Sequence, residues 1–398
     1  MTTWAEASTS AGTGQRWAGV GSSTLLSPRE AGAEAAAQAV SGADPKLLLV
    51  FSSIQYDFDA LLAGLRENYP DVPLLGCSTA GEIAPGKAGD SSVVVMAIGG
   101  AGLSVATASA EIEGDDLRSA GERVAACIDE VPAAPYRVLL LLSDGLAGDQ
   151  QEIVRGAYRA AGAGVPLVGG CAGDGLMMQG THQFYGDAVL QRAVVGAAIA
   201  SEAPFGIGVR HGWRRVGEAM LITRSEGTVV HMLDDEPALD VYLRLLEAPP
   251  EAHTDAAAFT QFALTHPLGL SRRSGEEVRF VAEANFADRS IVCIAEVPQG
   301  GLTWFMEGDE ASVLEATDAA CADALAPLDG QPPIGVVAFD CIARRGVLGV
   351  DGIQHEVDRI SAMTNGAPVA GFYTYGEIAR THGVSGFHNQ TLVVLTFG

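Results

Sequence analysis

Apolar residues along this chain fall into short solid runs and helical stripes, and the two kinds alternate in a fixed order. Residues 17–23 read as a strand, and a helix follows from Ser27, with Pro28 in its first turn and Glu30 closing an expected capping box. Residues 46–53 (KLLLVFSS) form an unbroken apolar run of strand length, and Phe58, Leu61, Leu62 and Leu65 then recur at helical spacing. Residues 92–98 are another strand. The order returns in 103–110 (strand), Leu117, Val124, Ile128 and Val131 (helix), 137–143 (strand), a helix capped by Asp149 and Glu152, and 193–200 (strand). It returns again in 302–306 (strand), Val313, Leu314, Cys321 and Leu325 (helix), 334–339 (strand), a helix capped by Asp351 and closed by Gly366, and 391–397 (strand). The pattern predicts a mixed α/β (α+β) chain of repeated β-α-β-α-β-β units forming two pseudo-related lobes. Residues 205–300 fit the unit poorly. They carry strands near 205–209, 218–223, 229–233, 278–283 and 289–297, with a helix at 236–246.

A glycine motif closes each unit, and its recurrence fixes the repeat. Residues 73–84 read PLLGCSTAGEIA and residues 368–379 read PVAGFYTYGEIA, so Pro, Gly, Thr, Gly, Glu, Ile and Ala match in register. Residues 165–174 (VPLVGGCAGD) are a weaker copy. A tail is expected at 1–16, a first domain with two repeats at 17–222, and a second at 223–398 that holds a diverged unit and the third repeat.

Composition narrows the function. A chain with 48% hydrophobic and 18% charged residues suits a packed globular protein. Its formal net charge of −25 repels phosphate backbones and anionic lipid, so nucleic acid is excluded as a partner. The six cysteines (77, 127, 171, 293, 321 and 341) show no C-x-x-C pair and no zinc-ligand spacing, which fits small buried residues in a reducing compartment. The N-terminus lacks an apolar signal core, and the apolar runs are too short to cross a bilayer. A cytoplasmic protein without membrane insertion is expected. P-loop, Rossmann and Gly-x-Ser-x-Gly signatures are absent from the sequence.

The chain resembles the FIST family of intracellular signal-transduction domains. Residues 219–242 look like the junction between the family's N-terminal and C-terminal parts, with Pro237-Ala238-Leu239 the most specific piece. Residues 371–377 (GFYTYGE) and 387–391 (FHNQT) resemble the closing signature. Residues 76–82 (GCSTAGE) and 169–174 (GGCAGD) resemble the two glycine motifs of the N-terminal part. The resemblance implies a sensory module that binds a small ligand, an amino acid being one candidate. It also implies a signalling output partner of the kinase or cyclic-nucleotide enzyme class. No output signature stands in this sequence, so a signal would pass to a separate protein. A haem-binding nitric-oxide sensor is the alternative implied by part of the family, with His231 and His182 the histidines in apolar surroundings.

The motif residues supply the candidate ligand site. Gly76, Cys77, Ser78, Thr79, Gly81 and Glu82 come from the first copy, and Gly170, Cys171 and Asp174 from the second. Tyr373, Thr374, Gly376, Glu377, His388 and Asn389 come from the third. A glycine turn can offer backbone N–H groups to an anion, and a carboxylate beside it can accept from an ammonium. Such a pairing suits a zwitterion. The competing reading makes Glu82, Glu377 and Asp174 caps of their own turns. Asp144 and Asp340 each follow a buried strand and either face the same cleft or cap the next helix. A catalytic role is not expected, although Cys77 or a carboxylate pair keeps an enzyme in view.

Overall fold

The computed structural model describes residues 15–86, 89–272, 275–381 and 386–398. The expected tail therefore lies almost wholly outside the described residues. The first unit runs β1 (Trp17–Ser23), α1 (Pro28–Ala39), β2 (Pro45–Ser52), α2 (Phe58–Arg66), β3 (Leu74–Ser78), β4 (Glu82–Ile83) and β5 (Val93–Gly99). The second runs β6 (Leu103–Glu111), α3 (Leu117–Ala125), β7 (Tyr136–Ser143), α4 (Gln150–Ala161), β8 (Leu167–Cys171), β9 (Gln183–Tyr185), β10 (Ala188–Leu190) and β11 (Ala193–Ser201). Both are mixed sheets in which the last strand sits between the first and second, giving β1-β5-β2-β3 and β6-β11-β7-β8.

The third unit begins at β12 (Phe205–Arg210) and then breaks off. An inserted sheet follows: β13 (Arg214–Glu226), β14 (Val229–Leu233), β15 (Glu236–Pro237), α5 (Ala238–Leu245), α6 (Ala256–Ala263), β16 (Leu268–Arg272), β17 (Gly275–Arg279), β18 (Val281–Asn285), β19 (Ser290–Cys293) and β20 (Leu302–Glu307). The unit resumes with α7 (Glu310–Leu325), β21 (Gly335–Cys341), α8 (Ile342–Met363), β22 (Val369–Thr374), β23 (Glu377–Arg380), β24 (Phe387–His388) and β25 (Leu392–Phe397). Its sheet order, β12-β25-β21-β22, repeats the other two.

Several local expectations are corrected. The strand at 302–306 is not the third unit's first strand. It pairs with β13 and β16 in the inserted sheet, and β12 takes that place by pairing with β25. Alternation alone cannot tell which sheet a strand joins. Ser27 makes no side-chain cap, so the capping box does not form. Asp351 lies inside α8, which starts at Ile342 and breaks its helical geometry at Gly349, where φ is 65°. The Gly170-Cys171 turn is the end of strand β8. The helix α6 had no expected counterpart, because its one full apolar stripe is only Phe259 and Ala263.

Short strands are exchanged around a pseudo-threefold axis. Strand β4 of the first unit extends the third unit's sheet beside β22. Strand β9 of the second extends the first beside β3, and β23 of the third extends the second beside β8. The inner faces of the three sheets share one core, in which Phe51 stacks on Phe372 at 4.8 Å between centroids. Each unit's helices cover its outer face with a separate apolar cluster. The inserted sheet packs its own core around Tyr242, Phe259 and Phe305.

The first motif glycine has a packing reason that recurs three times. Gly76, Gly169 and Gly371 pair in parallel with Val50, Leu141 and Ala338. A Cβ at each would stand 2.1, 1.8 and 2.1 Å from the partner's carbonyl oxygen. Gly371→Ala is therefore expected to cost about 1–3 kcal/mol in urea unfolding, through overpacking of a filled core. An unchanged midpoint would show that the strands can part.

Candidate functional site

The three glycine turns meet. Gly173 N donates to Ser78 O at 3.0 Å, Ala80 N to Tyr373 O at 3.0 Å, and Tyr375 N to Cys171 O at 3.1 Å, closing a ring of three hydrogen bonds about the axis. A second ring runs the opposite way, from Ser78 N to His182 O, Cys171 N to Gly376 O and Tyr373 N to Gly81 O, at 2.9, 2.8 and 2.8 Å. These bonds set the equivalences between units. Ser78, Cys171 and Tyr373 correspond, so Cys171 matches Ser78 and not Cys77.

The same rings relocate the second unit's partner of the two glutamates. Glu82 pairs across from Phe372, Glu377 from Gly170, and Gln183 from Cys77. The counterpart of Glu82 and Glu377 is therefore Gln183, while Asp174 starts an extra loop. Sequence comparison missed Gln183 because residues 174–181 stand between it and its glycine motif.

All three side chains are fully buried and tie the exchanged strand to the last strand of their own unit. Glu82 Oε2 accepts from Ser92 N at 3.1 Å and Ser92 Oγ at 2.6 Å, and Oε1 accepts from Thr79 Oγ1. Glu377 Oε2 accepts from Thr391 N at 3.1 Å and Thr391 Oγ1 at 2.8 Å, and Oε1 accepts from Thr374 Oγ1. Gln183 Oε1 accepts from Ala193 N at 3.3 Å, and its amide Nε2 donates to Thr181 Oγ1 at 3.2 Å. Burial pushes Glu82 and Glu377 up to about 7, although Ser92 and Thr79, or Thr374 and Thr391, pull the other way.

Beside the rings lies a cleft of about 300 Å³ to which all three units contribute. The first unit gives Ile54, Gln55 and the turn 79–82, together with Asp90. The second gives the loop 174–177, and the third gives Ile342 and Arg345 from the start of α8. Ile54 and Ile342 occupy related places, each just past the end of a central strand. In an open α/β sheet, that is where ligands bind.

Of the expected site residues, Thr79, Gly81, Glu82 and Asp174 line this cleft. Asp174 is held by its own loop: Oδ1 accepts from Met178 N at 3.0 Å and from Tyr375 Oη, and Oδ2 accepts from Gln179 N at 2.7 Å and Gly180 N at 3.1 Å. Burial raises its pKa, but these donors outweigh it and hold the carboxyl below its ordinary value. Gly76, Cys77 and Ser78 are inside β3, Gly170 and Cys171 inside β8, and Tyr373 and Thr374 inside β22. Gly376 and Glu377 stand at β23, away from the cleft lining. His388 lies in β24, where its Nε2 is 2.9 Å from Ala379 O and burial lowers its pKa. Asn389 is buried next to it, and its Oδ1 finds no donor among the described residues.

Asp144 and Asp340 also lie off the cleft. Asp144 Oδ1 accepts from Leu146 N at 2.8 Å and Thr181 Oγ1 at 2.7 Å. Asp340 is fully buried and pairs with Arg344 Nε at 2.6 Å. Burial pushes the Cys77 thiol well up and Cys171 up to about 12, which leaves neither as a thiolate at neutral pH. Among the described residues no group of three His, Cys, Asp or Glu side chains is placed to hold a metal ion.

The cleft residues do not fit haem. Among the described residues no histidine lines the cleft, and haem needs an axial ligand in an apolar pocket. His182 Nε2 is 2.8 Å from Gln191 Nε2 and its ring packs on Phe58, while His231 Nδ1 is 3.9 Å from Asp288.

The cleft's cation is Arg345, which lies outside every glycine motif of the sequence. Its Nη1 donates to Ala80 O, and its guanidinium lies 5.2 Å from the Tyr373 ring centroid. Gly81, with φ of 123°, makes room for it, since a Cβ there would fall 2.5 Å from Arg345 Nη1.

Two family models match the chain. Residues 46–236 match the FIST N domain and residues 238–380 match the FIST C domain. An uncharacterized protein of Mycobacterium tuberculosis is 26% identical over 400 residues, covering 95% of this chain and 99% of the relative. An uncharacterized protein of Methanocaldococcus jannaschii is 24% identical over 263 residues, covering 62% of this chain and 50% of that protein.

Proposed function

This chain belongs to the FIST family, with the N and C domains in tandem, and from that premise we propose that it is a sensory protein whose ligand is a small zwitterion such as an amino acid. The observation that carries the reading is the axial cleft. Three units join there, so a ligand in it touches all three at once. A ligand that prefers one arrangement of the units shifts their population by its difference in affinity. The signal then passes to a separate output protein of the kinase or cyclic-nucleotide enzyme class. The cysteine thiols of the glycine motifs, buried and protonated at neutral pH, support sensing over thiol catalysis. No described helix is long and apolar enough to cross a membrane, and a cytoplasmic location is part of the proposal.

The test is a thermal-shift screen of amino acids and related small metabolites, run on the wild type and on Ile54→Trp. Ile54 is half-buried on the cleft wall, so the larger ring fills the cleft while leaving the core intact. At about 100 times Kd a ligand adds about 2.7 kcal/mol of stability, which moves Tm by several degrees. The wild type should respond to at least one compound and Ile54→Trp should not. Equal shifts in both proteins, or none in the wild type, would remove the cleft as the sensor.

A further inference from the structure

Arg345 is already held before any ligand arrives. Its side chain is one-fifth exposed, and one N–H is fixed to the Ala80 carbonyl. The rest of its fork meets one carboxylate edge-on. Arg345 Nη1 and Nη2 reach Asp90 Oδ1 and Oδ2, both at 2.9 Å. That two-bond contact is the geometry in which a guanidinium recognises a carboxylate. Arg345 comes from the third unit and Asp90 from the first, so the pair spans the cleft wall. Asp90 differs from its partner in being mostly exposed, with its side chain 62% accessible. An exposed carboxylate returns to water at little cost, and pairs of this kind contribute about 0–1 kcal/mol.

From these observations we infer that Asp90 stands in for a ligand carboxylate, and that the cleft takes a carboxylate-bearing small molecule that displaces Asp90 from Arg345. This rests on the reading of the cleft as the ligand site and adds the anchor and the competitor. Arg345 holds the incoming carboxylate in the same two-bond geometry. Asp90, released, stays at the cleft mouth and offers its charge to any cationic group on the same ligand. Without ligand, Asp90 keeps the guanidinium paired in a protein with 24 basic and 49 acidic residues. Asp90 thereby acts as an internal competitor that sets the threshold concentration of ligand.

The experiment titrates succinate, acetate and inorganic phosphate by calorimetry into the full chain. The proteins are the wild type, Asp90→Ala, Arg345→Lys, Arg345→Met and Ile54→Trp. Removing the competitor should tighten succinate binding by up to about fivefold, a change that matches loss of a pair worth up to about 1 kcal/mol. Arg345→Met should abolish binding. Arg345→Lys keeps the charge but loses the fork, so it should weaken binding at least tenfold, and it covers the case in which the Met variant fails to fold. Unchanged succinate affinity in Asp90→Ala would overturn the stand-in role. Phosphate binding as tightly as succinate would overturn the planar-carboxylate preference. If a compound found in the thermal-shift screen binds, is blocked by Ile54→Trp and ignores both Arg345 variants, the cleft reading survives and this inference falls. If none of the three anions binds any of the proteins, this inference falls, and the thermal-shift screen decides the cleft reading separately.

Discussion

Arg344→Met is expected to lower the unfolding free energy by about 3–5 kcal/mol at pH 7, the usual result of stranding a buried charge. Arg344 is fully buried and binds five groups from four parts of the chain. Its Nε meets Asp340 at 2.6 Å, and Nη2 meets Glu356 at 2.7 Å and Thr317 Oγ1 at 3.0 Å, with Val313 O further off at 3.4 Å. Nη1 donates to His211 O at 2.8 Å, in the turn that leads into the inserted sheet. Asp340 and Glu356 are both buried, and Asp340 Oδ2 and Glu356 Oε2 find no hydrogen-bond donor among the described residues. Burial pushes Asp340 well above the usual carboxylate range, Arg344 pulls it down, and Glu356 raises it. One guanidinium thus serves two carboxyls, and its removal leaves both without a counter-charge. The triple variant Arg344→Met, Asp340→Leu, Glu356→Leu should recover most of the loss, because packed apolar residues often match a buried ionic cluster. Urea unfolding reads all the proteins. A loss below about 1 kcal/mol in the single variant would mean that the carboxyls find other partners.

Adjacent arginines therefore do unlike work at the start of one helix. Arg344 points into the core and fastens β21, α7, the second half of α8 and the inserted sheet. Arg345 points outward and furnishes the cleft. The Gly349 break separates this first stretch of α8 from Glu356, so Arg344 also clamps the two halves of the helix together.

The repeat was legible because its period is carried by local patterns. Solid apolar runs mark the strands buried on both faces, and glycines mark where two backbones meet closely. What the sequence concealed depends on contacts between units. The exchanged strands β4, β9 and β23 are two to four residues long and carry no periodicity. Gln183 was hidden by the extra loop at 174–181, and β12 by the 99 residues (211–309) placed between it and α7. Glu82 and Glu377 looked like ligand groups because a carboxylate beside glycine suits either role. Their oxygens are in fact engaged by a threonine and by the residue before the final strand of each unit. Arg345 and Asp90 are far apart in sequence and meet only because the first and third units share an edge.

Replacing both Glu82 and Glu377 with Gln should make the protein more stable above pH 7 and almost indifferent to pH between about 4.5 and 7 on this account. In the folded chain burial raises each carboxyl from 4.5 to about 7. The folded state then binds more protons than the unfolded state across that window. Stability contributed by the protonated form is complete below about 4.5 and is lost as pH rises through about 7, on the order of 3 kcal/mol per site. A neutral amide has no such loss. The second unit already holds one in this position, with Gln183 accepting from the Ala193 amide and donating to Thr181 Oγ1. Thr79 and Thr374 can receive the new Nε2–H in the same way, and Thr79 has Ser52 O as an alternative acceptor at 3.4 Å. Other carboxyls, such as Asp174, lie below their ordinary value, so they lose stability as pH falls, equally in both proteins. They cancel in the difference. Urea unfolding from pH 4.5 to 8 should therefore give two curves that meet at the acid end and separate by several kcal/mol at the alkaline end. Parallel curves would mean that Glu82 and Glu377 stay ionised when buried, with their three donors repaying the whole cost of burial.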